Sequence, residues 1–321
     1  MKWQSRYLPL AANMGLFSVM AVFGSVSYTG FFSVQAFLNL LIDNAFLVIV
    51  ATGMTFVILT GGIDLSVGSV VALSTMVLAE LVERQHWSIA FAIPVVLFMG
   101  IAFGALMGWL IQRFRLQPFI VTLAGMFLAR GLCYLISIDS ISITDPTYTD
   151  LAQMRISLGS DAAAVSLSAV LALLVLIAAV FVAHFTEFGR TVYAMGGNQH
   201  SATLMGLPVP RTMVLVYTLS GFCSALGGVV FTFYMLSGYG LHAVGLELDA
   251  IAAVVIGGTL LSGGIGYVAG TLFGVLTLGI IQSLIMFDGS LSSWWTRIVI
   301  GALLFVFCVL QRVFEARPQS G

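Results

Sequence analysis

Long apolar runs alternate with short polar punctuation along nearly the whole chain. The runs cover residues 9–27, 38–59, 66–83, 88–112, 118–137, 164–185, 212–235, 248–262, 266–286 and 294–312. Most approach the ~20 residues an α-helix needs to cross a bilayer. The eighth run, 248–262, is short and predicts a broken or tilted helix. The pattern predicts an all-α polytopic membrane protein, about ten transmembrane helices forming a single domain over residues 1–321. No polar stretch is long enough for a soluble domain. Lys2 and Arg6 before the first run mimic a signal peptide, but no small-x-small cleavage site follows. That run is expected to be a signal-anchor span.

Composition agrees with the pattern. Of 321 residues, 60% are hydrophobic and 8% charged, against about 25% charged in soluble domains. The solvent is therefore lipid. Basic residues set the direction. With the N-terminus inside, Lys2, Arg6, Arg113, Arg115, Arg190, Arg211, Arg312 and Arg317 face the cytoplasm. Arg84 and Arg155 fall in outer loops, and Arg297 lies near an outer helix start. The outer stretch 138–163 collects Asp139, Asp145, Asp150 and Asp161. Both termini are expected in the cytoplasm.

Several chemistries find no support. A net charge of −1 gives no hint of a nucleic-acid partner. Cys133, Cys223 and Cys308 lie singly in apolar runs and read as packed thiols. Lys2 is the only lysine, so the Walker A lysine of an ATP site is missing. No HExxH or GxSxG motif occurs, and the histidines are scattered. No cofactor and no metal are expected, and a channel or transporter remains.

"LTGGIDLSVGS", Leu59 to Ser69, interrupts this apolar pattern with three glycines and a carboxylate, Asp64. Gly61, Gly62 and Gly68 permit a bend or unwinding between the second and third runs. Unwound backbone cannot face lipid, so it must meet protein or a water-filled path. Asp64 is expected to be paired, capped or wet. The simplest role is a cap on the third span, accepting from the amides of Ser66 or Val67. A weak echo appears later: "GGIDLSVG" (61–68) and "GGTLLSGG" (257–264) agree at five of eight positions. Transporter folds often repeat, with interrupted helices at corresponding places.

The largest cytoplasmic loop, 187–211, reads "EFGRTVYAMGGNQHSATLMGLPVPR". Asn198 suits an N-cap, Gln199 to Met205 a two-turn helix, and Gly206 with Pro208 a stop. So short a helix is not stable alone in water. It is either a connector held by the membrane domain or a dock for a cytoplasmic motor. In the docking reading, Ala202 and Met205 share a face that fills a groove on the partner.

"GGIDLSVGS", the Arg130-Gly131 pair after "TLAGMFLA", "FGRTVYAMGGNQHSATLMGL" and "ELDAIAAVVIGGTLLSGGIGYVAGTLFG" occur in that order. Together they resemble the permease subunits of ATP-binding-cassette importers for monosaccharides, the ribose/xylose/galactoside group. Within it, "DNAFLVIVATGMTFVILTGGIDLSVGSV", "SGYGLHAVGLELDAIA" and "FDGSLSSWWTRIVIGALLFVF" resemble the permeases of bacterial galactofuranose importers. The resemblance implies the importer permease fold and a bacterial inner-membrane location. It implies a second permease subunit, a cytoplasmic ATPase that binds the ATP, and a periplasmic sugar-binding protein. It also makes 187–211 the coupling loop, with Gly189, Arg190, Ala194, Gly196, Asn198, Ala202, Met205 and Gly206 as candidate coupling residues.

Asn44, Asp64, Ser66 and Arg130 are candidates for the substrate path. Arg130, near the outer end of the fifth span, is expected to snorkel, pair with an acid or donate to sugar hydroxyls. Glu247 and Asp249 begin the eighth span at the outer face, where they suit a helix N-terminus or contact the binding protein. The alternative function is a self-sufficient secondary transporter or channel with Asp64 as the coupling site.

Overall fold

The computed structural model describes residues 8–28, 31, 33–157, 164–289 and 294–316, with side chains described between 13 and 309. Lys2, Arg6, Asp161, Arg317 and the Arg312 side chain, used above for orientation, lie outside the described residues.

Helices occupy each predicted run. They are α1 (Leu8–Ser27), α2 (Val34–Asp43), α3 (Ala45–Leu59), α4 (Val67–Ala79), α5 (Ile89–Phe114) and α6 (Pro118–Ile136). After a short outer helix α7 (Pro146–Gln153) come α8 (Leu167–Phe185), α9 (Glu187–Gly197), α10 (Gln199–Leu204) and α11 (Val209–Met235). The last three are α12 (Leu246–Ile256), α13 (Val268–Asp288) and α14 (Trp294–Ala316). A π-helical turn, Glu80–Arg84, extends α4. Among the described residues α5, α6, α8, α11 and α13 are each long and apolar enough to cross a membrane. The pair α2–α3, bent by 57°, makes a sixth such span if counted as one.

Burial sorts these helices into layers. Every residue of α3 except Phe46 is buried, so it has no solvent or lipid face, the signature of a core helix. Helix α11 packs most extensively against α5, then α3 and α4. The α5–α11 contact is set by small residues: Gly100, Gly104 and Gly108 meet the backbone of Gly221, Tyr217 and Val214. Such a stripe lets two membrane helices approach to main-chain contact. Helices α5, α6 and α8 bury only one side and expose Phe91, Phe98, Trp109, Phe127, Leu174 and Phe181 on the other. Those side chains form an apolar outer surface of the kind that suits lipid.

The all-α reading needs a small amendment. Among the described residues four short strands occur: β1 (Ile141–Ser142), β2 (Arg155–Ser157), β3 (Ala164–Ser166) and β4 (Ser237–Gly238). They pair antiparallel as β1–β4 and β2–β3. The described part of the outer stretch, residues 138–157, is anchored to the helices. Tyr148 is fully buried against Phe233, and its hydroxyl shares a hydrogen bond with Thr232 on α11.

The short eighth run has a structural cause. After α11 the chain runs along α4: Gly238 abuts Thr75 and Ala79, while the Ala243 carbonyl abuts Gly68. Helix α12 starts there and has 11 residues, roughly 16 Å at 1.5 Å per residue. That is about half of a ~30 Å hydrocarbon layer. The eighth run is thus a half-length helix entered by an irregular segment.

Candidate functional site

The first break lies between α3 and α4. Helix α3 ends in a two-bond Schellman arrangement, Gly61 N to Ile58 O at 2.8 Å and Gly62 N to Val57 O at 3.1 Å. The arrangement requires a left-handed residue, and Gly61 has φ of +79°. Helix α12 ends identically, with Gly258 N bonded to Val255 O at 3.0 Å and Thr259 N to Val254 O at 3.1 Å. Gly258 has φ of +96°. The sequence echo is therefore structural, but its register is off by one. Gly61 corresponds to Gly258, whereas the letter match paired it with Gly257.

Asp64 is 3% exposed. Its Oδ1 accepts from the Ser66 amide at 2.9 Å and the Ser66 hydroxyl at 2.6 Å. Its Oδ2 accepts from the Ser220 hydroxyl at 2.7 Å. The expected cap bond to Ser66 is present, yet the residue flanking α4 is Ser66 itself. Asp64 serves the turn just before the helix and ties it to α11. Tyr217, one turn before Ser220, places its buried hydroxyl beside Gly62 without a hydrogen-bond partner. Sequence reasoning missed both Ser220 and Tyr217. The available signal was a hydroxyl pair spaced three apart within an apolar helix.

The two breaks touch. Gly264 N donates to Leu59 O at 2.9 Å, and Gly263 lies against Gly61 N. Gly196, near the end of α9, sits over that hydrogen bond: a Cβ there would overlap both Leu59 O and Gly264 N. Tyr193, one turn earlier, donates its hydroxyl to Gly266 O at 2.9 Å. The loop between α8 and α11 thus meets both breaks through main chain and one tyrosine.

The loop is more ordered than its sequence suggested. Besides the expected short helix it carries α9, which turns back on α8 so tightly that only Gly189 fits against the Val182 and Ala183 carbonyls. Thr186 caps α9 by accepting from the Gly189 amide at 3.2 Å. Asn198 caps α10 as expected, accepting from the Ser201 amide at 2.8 Å. Gly206, at φ +79°, stops it. Arg190 is exposed and Ala194 half-buried. One expectation is corrected. Ala202 is fully buried within this chain, whereas Leu204 and Met205 are 75% and 68% exposed. Ala202 and Met205 therefore do not form one outward face: Ala202 holds α10 to the membrane domain, and the outward apolar pair is Leu204–Met205.

The remaining candidates lie elsewhere. Asn44 is buried at the α2–α3 bend, donating to Leu40 O at 2.9 Å and packing on Gly279 of α13. Arg130 makes no close ion pair with any described acid. Its Nη1 donates to Gly240 O and His242 O, both at 2.6 Å. It thereby satisfies carbonyls of the irregular segment that enters α12. Glu247 and Asp249 occupy the first turn of α12, where acids suit the helix dipole. Glu247 is not on an open rim: its Oε2 is buried against Gly68 without a hydrogen-bond partner. Among the described residues no cluster of His, Cys, Asp and Glu could hold a metal.

This arrangement defines a polytopic helical transport protein whose two interrupted spans meet under a surface loop. The chain belongs to the family described as the permease component of branched-chain amino acid transport systems, matched over residues 36–308. It is 51% identical to the inner membrane ABC transporter permease protein YjfF of Escherichia coli K12, covering 98% of this chain and 96% of that protein. It is 39% identical to the fructose import permease FruG of Bifidobacterium longum, over 98% of this chain and 94% of the relative. The ribose import permease RbsC of Haemophilus influenzae is also 39% identical, over 87% and 85%. No solved structure matches. The protein is a permease subunit of an ABC transporter in the inner membrane, a transport component and not an enzyme. That class sets aside a self-sufficient secondary transporter.

Proposed function

We propose that this chain carries a monosaccharide, galactofuranose, inward across the bacterial inner membrane, with ten spans and both termini in the cytoplasm. A second permease subunit would complete the membrane unit, with a periplasmic binding protein outside and an ATPase inside binding all the ATP. Relatives named as fructose and ribose import permeases support the substrate class. Galactofuranose rests on the narrower sequence resemblance.

The observation that carries the mechanism is Gly196 seated on the Leu59–Gly264 hydrogen bond. Residues 187–211 act as the coupling loop. The ATPase grips the Leu204–Met205 face, and α9 transmits its movement to both breaks at once. Asp64 and Ser66 then act as the latch of the first break, and Asn44 as the packed bend at the other end of α3. The substrate path opens as α3, α4 and α12 shift. Arg130 holds the segment leading into α12, and Glu247 and Asp249 anchor its first turn on the binding-protein side. Selectivity resides in the binding protein, since a tight site in the permease would slow release.

The test is uptake into proteoliposomes holding the permease pair and ATPase, supplied with binding protein and labelled sugars. ATP-dependent accumulation of galactofuranose, with little ribose or galactopyranose, is expected. Accumulation of another pentose or hexose instead would overturn the galactofuranose assignment. Uptake without ATPase or binding protein would overturn the importer reading itself.

A further inference from the structure

A cavity of about 750 Å³ opens beside the glycine junction. Gly61 and Gly62 form one wall, α10 contributes Gln199 and His200, and the end of α5 contributes Gln112 and Arg115. No aspartate or glutamate lines it. The side chains of Arg115, His200, Gln112 and Gln199 make no hydrogen bond or ion pair with any other described residue. Four donor-bearing side chains with no partner among the described residues thus border one space, Arg115, Gln199 and His200 exposed and Gln112 half-buried, and the Arg115 guanidinium keeps its formal charge positive. Arg115 adds a backbone observation. It is the C-cap of α5 at φ 52°, ψ 36°, the left-handed region that non-glycine residues rarely adopt.

We propose that this cavity binds a phosphate ester. A guanidinium presents paired N–H groups that match phosphate oxygens bidentately, while the glutamine amides donate to the remaining oxygens. His200 offers a further ring N–H donor. The volume accommodates a phosphorylated hexose. Two sources share this chemistry. One is an anionic phospholipid headgroup, reached past the exposed rings of Trp109 and Phe114 on α5. The other is a free sugar phosphate in the cytoplasm. The cytoplasmic placement rests on the loop orientation proposed above. Because the cavity is bounded by both α10 and the first break, an occupant would brace the coupling helix against the end of α3.

The test uses the full complex with its ATPase in nanodiscs. In one arm, discs of phosphatidylcholine with and without phosphatidylglycerol are compared by native mass spectrometry for retained anionic lipid. In the other, glucose 6-phosphate is titrated calorimetrically into phosphatidylcholine discs. Saturable binding in either arm is expected, and the arm that responds identifies the source. Arg115→Asn, which tolerates the left-handed backbone, should weaken it about tenfold, and His200→Gln several-fold. Arg113→Gln, outside the cavity on the same helix end, should leave it unchanged. Silence in both arms would overturn the proposal. So would equal weakening by Arg113→Gln and Arg115→Asn, because that indicates diffuse surface charge. ATPase stimulation by the sugar-binding protein, measured in the same discs, reports the importer function separately.

Discussion

Asp64 and Ser220 are 156 residues apart in the chain and share a hydrogen bond of 2.7 Å. That bond fixes the first break to the middle of α11, the helix around which α3, α4 and α5 are packed. With Ser66 supplying two further donors, a buried carboxylate becomes the pin of an otherwise glycine-rich turn. Such a group is costly in a membrane interior unless its oxygens are engaged, and here both are.

Asp64→Asn should therefore be milder than Asp64→Leu. Asn retains one acceptor oxygen, whereas Leu strands the Ser66 amide and two hydroxyls. Each buried polar group left unpaired costs about 1–3 kcal/mol. Thermal unfolding in detergent should rank wild type above Asn and Asn well above Leu. Equal midpoints for the two variants would show that the negative charge, and not the acceptor, is what matters.

Gly196→Ala tests the junction. The added methyl meets the backbone of Leu59 and Gly264, neither of which can rotate away. Overpacking of this kind costs typically about 1–3 kcal/mol, and here it would part the two breaks. Membrane abundance should stay near wild type while uptake falls more than ATP hydrolysis. A variant with the same sugar moved per ATP would end the coupling role assigned to this contact.

The loop surface gives two separable outcomes. Leu204→Ser with Met205→Ser changes only exposed positions, so the permease should accumulate normally but recover less ATPase on affinity purification. Ala202→Trp should instead damage the permease itself, because Ala202 is fully buried in its own chain. Lower membrane abundance for the first pair, or normal abundance for the tryptophan, would reverse the assignment of the two faces.

Gly206→Val addresses the end of α10. Residue 206 has φ of +79°, which for an L-residue costs roughly 1–2 kcal/mol. Protease accessibility of residues 199–208 should rise in membrane vesicles. Gly206→Asn, which tolerates that conformation, should restore protection.

Arg130→Gln should loosen the segment entering α12. One Nη1 atom serves the Gly240 and His242 carbonyls together, and the shorter amide cannot reach both. A cysteine introduced at Val244 should label faster from the outside in that background than in wild type. Arg130→Lys should fall between the two. Unchanged labelling across the series would remove Arg130 from the support of α12.

Much of the fold was legible because lipid imposes a simple rule: apolar runs become helices. The cap at Asn198, the stop at Gly206 and the shortness of the eighth run all followed from local chemistry. What escaped was relational. Ser220 looks like any small residue in a membrane helix until Asp64 is placed beside it. Ala202 is equally compatible with an outward or an inward face, since alanine carries no polarity to decide. The paired ends of α3 and α12 were visible only as letters, and letters aligned Gly61 with Gly257. Backbone dihedrals, which no residue name specifies between adjacent glycines, set the true correspondence at Gly258.

The contact of Gly196 with Leu59 and Gly264 contains no side chain. Ordinary interfaces behave partly as springs, because rotamers shift and absorb part of any displacement. Main chain pressed on main chain has no such compliance. A push arriving along α9 should reach both breaks with almost none of its travel lost, as through a gear tooth. The same stiffness removes fine adjustment, since even one methyl group jams the teeth. If residues 187–211 couple as proposed, any tuning of the transmission has to be made on the outer face of the loop rather than at this contact.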